Sequence, residues 1–318
     1  MEHKFIAQQP IGETFTGIYF VKDVAIKKTT TKKDYTEVTL KDRSGEVYAK
    51  FWGLVPDEIK KGLFVVAKVR CEDYRGKASH ILEDICVADN SEVDKSLYLP
   101  CVENMEELQS AFHSQLQSLV NDSIPLSSPI GNLLLKVFDK DVLKLFFAAP
   151  ASVSVFYGKI GGALENTLHL LSLCDRAAEV YGLSVKETLV LRAAALTSRL
   201  SCIESYEMKD CAAQESKSGT LIGMQGLLSL RLLDAWKKLD IKGKAEREWF
   251  LRLLHCVSSN EKTLKPCTKE AIIFNTMSWL DGKTVEMFNY VNTAEQIQDG
   301  FSSYDTVNHR RYYVGADF

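Results

Sequence analysis

Residues 35–53 read YTEVTLKDRSGEVYAKFWG and contain two runs in which apolar and polar side chains alternate. Alternation with a period of two residues predicts β-strands, here Tyr35–Lys41 and Val47–Trp52. The residues between the two runs, DRSG at 42–45, form a tight-turn sequence whose glycine tolerates a positive φ. This stretch therefore predicts a β-hairpin.

The same alternation continues on both sides of the hairpin through about the first ninety residues. The alternation is interrupted at Asp57–Lys61, where a short helical turn is predicted, and at residues 74–77, where a second tight turn is predicted. The other predicted strands are Phe15–Lys28, Leu63–Glu72 and Ser79–Ala88. Five short strands with a helical insertion after the third follow the order of an OB-fold, a Greek-key barrel that binds oligonucleotides. We therefore predict an OB-fold over residues 1–90.

The second part of the chain changes to a hydrophobic period of about 3.6 residues, which predicts helices. Residues 91–101 are polar and acidic and contain Pro100, which indicates a linker. The fold class is α+β and multidomain, with an all-α domain over residues 102–300 and an aromatic, basic tail over 301–318. Helices are predicted near residues 103–120, 129–148, 160–182, 184–200, 219–239, 245–259, 268–280 and 283–297.

Composition restricts the class of protein. With 46% apolar and 25% charged residues the 318-residue chain is globular, and its net charge of −3 gives no argument from bulk charge for nucleic-acid binding. The eight cysteines form no CxxC pair and are expected to be reduced thiols. No apolar run is long enough to cross a membrane, so we expect a cytoplasmic protein without a membrane partner.

Basic and aromatic residues lie in the regions where an OB-fold binds nucleic acid. Lysines suit backbone phosphates, and exposed aromatic rings stack on bases at about 1–3 kcal/mol per base. An alternative is that the lysines only solvate an edge and that about half of the aromatic residues are core. The candidates for phosphates are Lys27, Lys28, Lys32 and Lys33 in the first loop and Arg75 and Lys77 in the fourth-to-fifth loop, and the candidates for stacking are Tyr19, Trp52 and Tyr74.

The segments YTEVTLKDRSGEVYAKFWG and KKGLFVVAKVRCEDYRGK resemble the N-terminal OB domain of the YhaM-type 3′→5′ exoribonucleases, which join such a domain to a helical HD phosphohydrolase domain. The resemblance continues in the same order through IGGALENTLHLLSLCDRAAEVYG, LVLRAAALTSRLS, GTLIGMQGL and FNTMSWLDGK. It covers nearly the whole chain. The resemblance implies an HD-like helical domain and a single-stranded RNA or DNA ligand, with RNA favoured.

The resemblance also implies that the metal site of the family is degenerate here. A hydrolytic metal ion needs several carboxylate or imidazole ligands before it activates water, and of the matching positions only Glu261 carries such a group. We therefore expect no metal, no cofactor and no HD-type catalysis, which makes the chain a pseudoenzyme. The positions that match the metal ligands of the family are Asn166, Thr197, Ser198, Met224, Asn260, Glu261 and Ser278.

Two alternatives remain open. One is an active 3′→5′ exonuclease with a divalent metal on displaced ligands, and the other is a scaffold for a protein partner or a homo-oligomer. Cysteine nucleophiles at Cys202 or Cys256 are not favoured by the spacing. The displaced ligands would be His169 and His255 with Glu165, Glu204 or Asp281, and a path for a phosphate backbone would use Arg192, Arg199, Lys283, Arg310 and Arg311.

Overall fold

The computed structural model describes residues 3–29, 31–74, 76–89, 93–94, 97–153, 157–209, 211–293, 299–306, 308–313 and 315, without the side chains of residues 77, 289, 292 and 293. These residues form two compact units. The barrel unit comprises Met1–Cys101 with Met208–Ala212, and the helical unit comprises Val102–Glu207 with Ala213–Phe318.

The barrel unit is a five-stranded OB-fold, as predicted. Its strands close into a barrel in the order β1-β2-β3-β5-β4, with β4 also paired to β1. The core is formed by side chains that alternate along each strand, such as Val38, Leu40, Val47 and Ala49. The strands are β1 (Thr14–Lys28), β2 (Asp34–Asp42), β3 (Gly45–Phe51), β4 (Phe64–Tyr74) and β5 (Lys77–Val87).

One pairing in the barrel is much shorter than the others. Strands β3 and β5 are parallel and align only Ala49 with His80 and Lys50 with Ile81, whereas every other pairing in the barrel is antiparallel and extends over seven or more residue pairs. A parallel ladder is also slightly less stable per residue than an antiparallel one. The β3–β5 contact is therefore the weakest ladder of the barrel.

Two predictions for the barrel unit are wrong. Residues 57–61 form turns instead of a helical turn: the Ile59 amide donates to the Pro56 carbonyl at 2.9 Å, and the Ile59 side chain enters the core. The segment predicted as a linker is not free of the barrel either. The Tyr98 side chain is buried, and its hydroxyl donates to the Ile18 carbonyl at 3.0 Å.

The helical unit begins at Val102. Its helices follow the predicted pattern, but several of them begin or end at other residues than predicted. The predicted helix 129–148 ends at Val137, and Asp139 caps the next helix by accepting from the amides of Asp141 and Val142. Among the described residues, the predicted pair 268–280 and 283–297 forms one continuous helix, Lys269–Thr293, and residues 294–297 of the second prediction lie outside the described residues. The helices are α1 (Met105–Ser123), α2 (Ile130–Val137), α3 (Lys140–Ala148), α4 (Gly162–Val180), α5 (Val185–Thr197), α6 (Cys202–Ser205), α7 (Lys217–Ile222), α8 (Met224–Lys237), α9 (Lys244–Ser258) and α10 (Lys269–Thr293).

Two local features distinguish this part of the chain from the sequence prediction. Gly223, with φ of 78°, separates α7 from α8 within the predicted helix 219–239. A two-stranded sheet, β6 (Tyr206–Lys209) and β7 (Ala212–Glu215), was not predicted, so this part of the chain is not all-α.

Helix α5 is the centre of the helical unit and packs against α4, α9 and α10. Residues 193–196 of α5, three alanines and a leucine, have no solvent exposure, since small side chains let neighbouring helices approach closely. Ser184 and Glu187 form a capping box at the start of α5: they bond each other reciprocally, and these bonds lower the pKa of Glu187 to about 2. No described helix is both long and apolar enough to cross a bilayer.

Candidate nucleic-acid interface and buried polar cluster

The outer face of the β2–β3 hairpin carries the residues best placed to contact a ligand. Because Val47 and Ala49 point into the core, Tyr48 and Lys50 point outward. Glu37 of β2 is the cross-strand partner of Lys50. The Tyr48 side chain is 56% exposed, so its ring is accessible to a ligand.

These residues line a groove of about 550 Å³ on the barrel unit, called here the barrel groove. Trp52, 62% exposed, and Tyr35 form an aromatic pair with ring centroids 5.6 Å apart. Tyr35 is the cross-strand partner of Lys27, so this pair lies at the Lys27 edge of the groove. The groove is lined by Lys27, Glu37, Glu46, Val47, Tyr48, Lys50, Ala78, Ser79 and His80.

The charges in the barrel groove are only partly paired. Lys27 Nζ lies 2.5 Å from Glu37 Oε1, and this bond raises the pKa of Lys27. Lys50 makes no ion pair with any residue that the structure describes. Burial lowers the pKa of His80, so its ring is neutral at pH 7 and contributes a hydrogen-bonding group instead of a charge. Among the residues that the structure describes, the groove therefore offers one unpaired cation, Lys50, beside aromatic surface.

The predicted lysines of the first loop are exposed at the tip of the β1–β2 hairpin. The Thr29 amide donates to the Lys33 carbonyl at 2.9 Å, and the Lys33 amide donates to Thr29 Oγ1 at 3.0 Å, which closes the turn. Lys28 lies 3.9 Å from Asp34. Among the described residues, Lys27 lines the barrel groove, but Lys28, Lys32 and Lys33 do not.

The prediction that Tyr19 stacks on bases is wrong. Its side chain is 0% exposed, and its hydroxyl donates to the Lys4 carbonyl at 2.8 Å. A β-bulge between Val21 and Asp23 shifts the register of β1, and before it the odd-numbered residues face the core. Gly17 accommodates the ring, because a Cβ there would lie 2.7 Å from the Tyr19 hydroxyl oxygen.

The other residues of the barrel unit that were predicted to contact nucleic acid differ in outcome. Trp52 and Tyr74 are both exposed, as their predicted role requires. Arg75 and the side chain of Lys77 lie outside the described residues. Sequence reasoning missed Tyr48 and Lys50. The alternation after the DRSG turn could have identified them, because it places Val47 and Ala49 in the core and the two residues that follow them on the outer face.

The helical unit contains a hydrogen-bonded group of side chains, called here the polar cluster. It joins Asn166 and His169 of α4, Arg199 just after α5, and Ser278 and Asp281 of α10, and it includes Tyr157. Asn166 Nδ2 donates to Asp281 Oδ2 at 2.5 Å. The Tyr157 hydroxyl lies 2.7 Å from His169 Nδ1 and 3.2 Å from Asp281 Oδ2.

Arg199 supplies a permanent positive charge to the polar cluster. Its Nε donates to Asn166 Oδ1, and its Nη2 donates to Ser278 Oγ at 3.3 Å. Burial raises the pKa of Asp281, and His169, Tyr157 and Arg199 oppose this shift. Burial also raises the pKa of the Tyr157 hydroxyl. The cluster thus satisfies its own buried polar groups, as a stable interior requires.

The positions that match the metal ligands of the resembling family do not form a ligand set. The hydroxyls of Thr197 and Ser198 donate to the carbonyls of Ala193 and Ala195, each at 2.8 Å, within their own helix and the turn that follows it. Met224 Sδ lies 3.7 Å from Cys202 Sγ.

The other four matching positions are equally unsuited. Asn260 accepts from the amides of Lys262 and Thr263, and Glu261 is exposed. Asn166 and Ser278 bond Arg199, whose charge would repel a cation. No group of three or more His, Cys, Asp or Glu side chains suited to a metal ion occurs among the described residues. The donors present at these positions therefore do not fit a divalent metal ion.

The displaced ligand set is only partly brought together. His169 Nδ1 lies 3.9 Å from Asp281 Oδ1. By contrast, Glu165 pairs with Lys159, Glu204 pairs with Arg231, and His255 Nε2 accepts from the Cys267 amide at 2.9 Å.

The two cysteines considered as nucleophiles are poor candidates. Burial raises the pKa of Cys202 to about 12, and it also raises that of Cys256. Both thiols are therefore protonated at pH 7 and only weakly nucleophilic.

A second concave region of about 320 Å³ lies within the helical unit and is called here the helical pocket. Of the five basic residues predicted to follow a phosphate backbone, Arg199 is the one that lines it in the described part of the chain. Arg192 instead bonds Asp122, Asp175 and Gln115. The pocket is lined by Ser198, Arg199, Met224, Gln225, Leu228, Val257, Phe274, Asn275, Ser278 and Trp279.

Comparison with known proteins supports the resemblance read from the sequence. Curated relatives named 3′-5′ exoribonuclease YhaM are 23% identical in a Geobacillus species (93% of this chain, 90% of the relative), 22% in Bacillus velezensis (89% and 90%) and 21% in Shouchella clausii (93% and 91%). No protein-family model matches. A solved structure, the second OB-fold domain of replication protein A from Methanococcus maripaludis, is 15% identical, covers 29% of this chain and all of its own, and has a TM-score of 0.24.

Proposed function

We propose that this protein binds single-stranded nucleic acid across the barrel groove, and that its helical unit does not hydrolyse the bound strand. The observation that carries the proposal is the exposed Tyr48 ring beside the unpaired Lys50, with the Trp52–Tyr35 pair at the edge of the same groove. RNA is the favoured ligand because the relatives are named exoribonucleases.

The groove has the two kinds of group that a single strand needs. Tyr48 and Trp52 offer ring faces for bases, and every base can stack irrespective of sequence. Lys50 offers an unpaired charge for a phosphate. The exposed Lys32 and Lys33 at the hairpin tip extend the positive charge beyond the groove. Because Lys27 is paired with Glu37, we expect the affinity for nucleic acid to be moderate. Because stacking does not depend on the base, we expect little sequence preference.

The proposed loss of catalysis rests on the chemistry of the polar cluster. Asn166 and Ser278 match metal-ligand positions of the resembling family, but both bond the guanidinium of Arg199. Thr197 and Ser198 use their hydroxyls on backbone carbonyls. An arginine cannot lower the pKa of a bound water as a divalent ion does, so hydrolysis lacks its nucleophile.

An active 3′→5′ exonuclease is the second candidate function, because the relatives carry that name and because His169 and Asp281 lie 3.9 Å apart. Two such groups would still need a third ligand to retain a transition metal. Any metal-dependent cleavage would therefore depend on His169 and Asp281, and it would be lost in His169→Ala.

Binding is tested with a short fluorescently labelled single-stranded RNA, its DNA equivalent and fluorescence anisotropy at several salt concentrations. The wild-type affinity should fall steeply as salt rises. The double variant Tyr48→Ala/Trp52→Ala should bind at least about tenfold more weakly. The variant Tyr313→Ala, which removes an equally exposed aromatic ring in the helical unit, is the matched control and should bind like the wild type. Salt-independent or absent binding would favour a protein-interaction scaffold instead.

Catalysis is tested by incubating labelled RNA with the protein and Mn²⁺, with and without a chelator. The proposal expects no shortening of the strand by the wild type. Shortening that the chelator stops and that His169→Ala abolishes would establish the exonuclease. The variant Asn166→His/Thr197→His/Ser198→Asp, which restores imidazole and carboxylate groups, serves as the comparison, and a gain of metal content in it would support the degenerate-site interpretation.

A further inference from the structure

His80 is a residue of the barrel groove whose charge can change near neutral pH. It lies on β5, where it aligns with Ala49 of β3 in the short parallel ladder, and its side chain lines the groove. It makes no hydrogen bond or ion pair with any residue that the structure describes. A partly buried imidazole without such a partner leaves both ring nitrogens for a ligand.

The carboxylates of the barrel groove are already paired with lysines. Glu37 Oε1 lies 2.5 Å from Lys27 Nζ, and Glu46 Oε2 lies 2.5 Å from Lys22 Nζ. Lys50 of β3 has no ionic partner among the described residues. In the described part of the groove, the histidine thus shares the space with one unpaired cation and two neutralised acids, and with no unpaired anion.

The neighbours of the histidine on β4 and β3 are also neutral or paired. Its cross-strand partner on β4 is Cys71, and burial raises the pKa of this thiol, which is therefore neutral at pH 7. Glu72, the next residue of β4, forms an ion pair with Arg70. On β3, the Tyr48 hydroxyl donates to Glu46 Oε1 at 3.4 Å.

These surroundings keep His80 neutral before a ligand binds. Burial lowers its pKa, and no unpaired carboxylate of the described groove is available to favour the imidazolium. A phosphate in the groove would supply the missing negative charge. At a separation of about 4–6 Å an anion favours the protonated ring, so the ligand and the proton each strengthen the binding of the other.

We propose that the barrel groove binds nucleic acid together with a proton, which His80 accepts from solvent as a phosphate approaches its ring. The protonated ring becomes a further cation in addition to Lys50, so the affinity for nucleic acid rises as the solution is acidified. At neutral and alkaline pH the uncharged ring contributes a hydrogen bond only. The inference rests on the proposed function, because it concerns the regulation of the same groove by pH.

The test measures the affinity of the full-length protein for a labelled oligouridylate between about pH 5.5 and pH 8. Uracil carries no group that titrates in this range, a hydroxyl end avoids a terminal phosphate, and the fluorescent dye must be insensitive to pH. The wild-type affinity should rise about tenfold toward the acid end. The slope of log affinity against log salt should steepen there by about 0.7, because one more cation contacts the strand.

Substitutions at His80 separate its proton from the protons of other groups. His80→Gln keeps a hydrogen-bonding side chain without a titratable nitrogen, so its affinity should equal that of the wild type at the alkaline end and should not rise in acid. His80→Lys carries a permanent cation, and its affinity at the alkaline end should approach that of the wild type at the acid end. His113→Gln removes an exposed histidine of α1 and should keep the wild-type profile. Circular dichroism checks that each variant is folded.

NMR spectroscopy observes the proton directly. The ring C–H signal that is missing from His80→Gln identifies His80 among the six histidines. Its titration midpoint should move upward by about one pH unit when oligouridylate is added, which corresponds to the tenfold change in affinity. An unchanged midpoint would overturn the inference. So would an acid-linked rise in affinity that persists in His80→Gln, since the proton would then belong to another group such as Glu37.

The groove proposal and the proton coupling fail in different ways. A wild-type affinity that stays constant across the pH range would refute the coupling and leave the groove proposal intact. Absence of oligouridylate binding at every pH would refute both. Loss of the acid-linked rise in His80→Gln, together with an upward shift of the His80 midpoint in the wild type, would establish the coupling.

Discussion

Lys50 in the barrel groove and Arg199 in the polar cluster are both cationic side chains close to aromatic rings, but they differ in what surrounds them. Lys50 has no ionic partner among the described residues, whereas Arg199 is held by Asn166 and Ser278. Tyr48 beside Lys50 is exposed, whereas Tyr157 in the cluster is buried. The groove leaves polar and aromatic groups for a partner, and the cluster uses most of its groups to stabilise the fold.

The largest expected effect is on stability, and it tests whether the polar cluster is structural. Asp281→Ala removes the carboxylate that accepts from Asn166 Nδ2 and from the Tyr157 hydroxyl, and so weakens a buried hydrogen-bond network. We expect a loss of roughly 2–4 kcal/mol in the free energy of unfolding. Urea unfolding followed by circular dichroism at a helix-sensitive wavelength measures it.

The control for Asp281→Ala is Glu37→Ala, which removes one partner of the exposed Lys27–Glu37 pair in the groove. It should cost less than about 1 kcal/mol. Equal losses for the two variants would contradict the distinction between an internal network and an open surface.

The second prediction compares two tyrosines of the barrel unit. Tyr48→Ala should weaken oligonucleotide binding about tenfold and leave the unfolding midpoint nearly unchanged, since its ring is exposed. Tyr19→Phe removes the buried hydrogen bond to the Lys4 carbonyl and should cost about 1 kcal/mol of stability. Its oligonucleotide affinity should equal that of the wild type. A binding loss in Tyr19→Phe would mean that the groove depends on the barrel interior.

The third prediction sharpens the electrostatic side of the comparison. Lys50→Gln removes a groove cation that has no ionic partner among the described residues, and it should reduce the slope of log affinity against log salt by about 0.7, the value for one phosphate on a single strand. Lys238, which pairs with Asp234 on α8, provides a control of the same residue type in the helical unit. Lys238→Gln should leave the slope unchanged, and a similar decrease in both variants would indicate a non-specific effect of net charge.

The smallest effect is a pH dependence of opposite sign in the two units. Burial raises the pKa of Asp281 above its ordinary 3.8, so the folded state binds this proton more tightly and the stability from Asp281 declines as pH rises above 3.8. Lys68 and Arg70 lower the pKa of Glu83 on β5 below its ordinary 4.5, so its contribution is present above pH 4.5 and is lost below it.

Thermal unfolding midpoints across pH check these signs. Asp281→Asn should gain relative to the wild type as pH rises from about 4 to 6, and the deficit of Glu83→Gln should disappear as the solution is acidified below 4.5. The same trend in both variants would contradict the assignment of opposite shifts.

Local sequence signals predicted much of the fold. The DRSG turn and the alternation around it predicted the five strands, and the hydrophobic period of about 3.6 residues predicted most of the helices. The predictions were wrong where several local signals competed. Gly223 ended a helix that its flanking periodicity favoured, whereas Gly282 did not interrupt α10. The β6–β7 sheet was missed because four-residue strands are too short to establish a period.

The candidate sites were less predictable than the fold. Exposure of Trp52 was expected, but the inward position of Tyr19 depends on a bulge that alternation alone does not reveal. The bonds from Arg199 join residues 33 and 79 positions away in the sequence. Such long-range partners are set by helix packing, so a single sequence without structural information cannot specify them.

The weak β3–β5 ladder has a consequence for the barrel itself. Lys50 and His80, which belong to its two aligned pairs, also line the groove. A nucleic acid bound in the groove would contact both β3 and β5 and oppose the transient opening of the ladder between them. The bound ligand would thereby stabilise the closed barrel at the pair of strands where transient opening requires the least free energy.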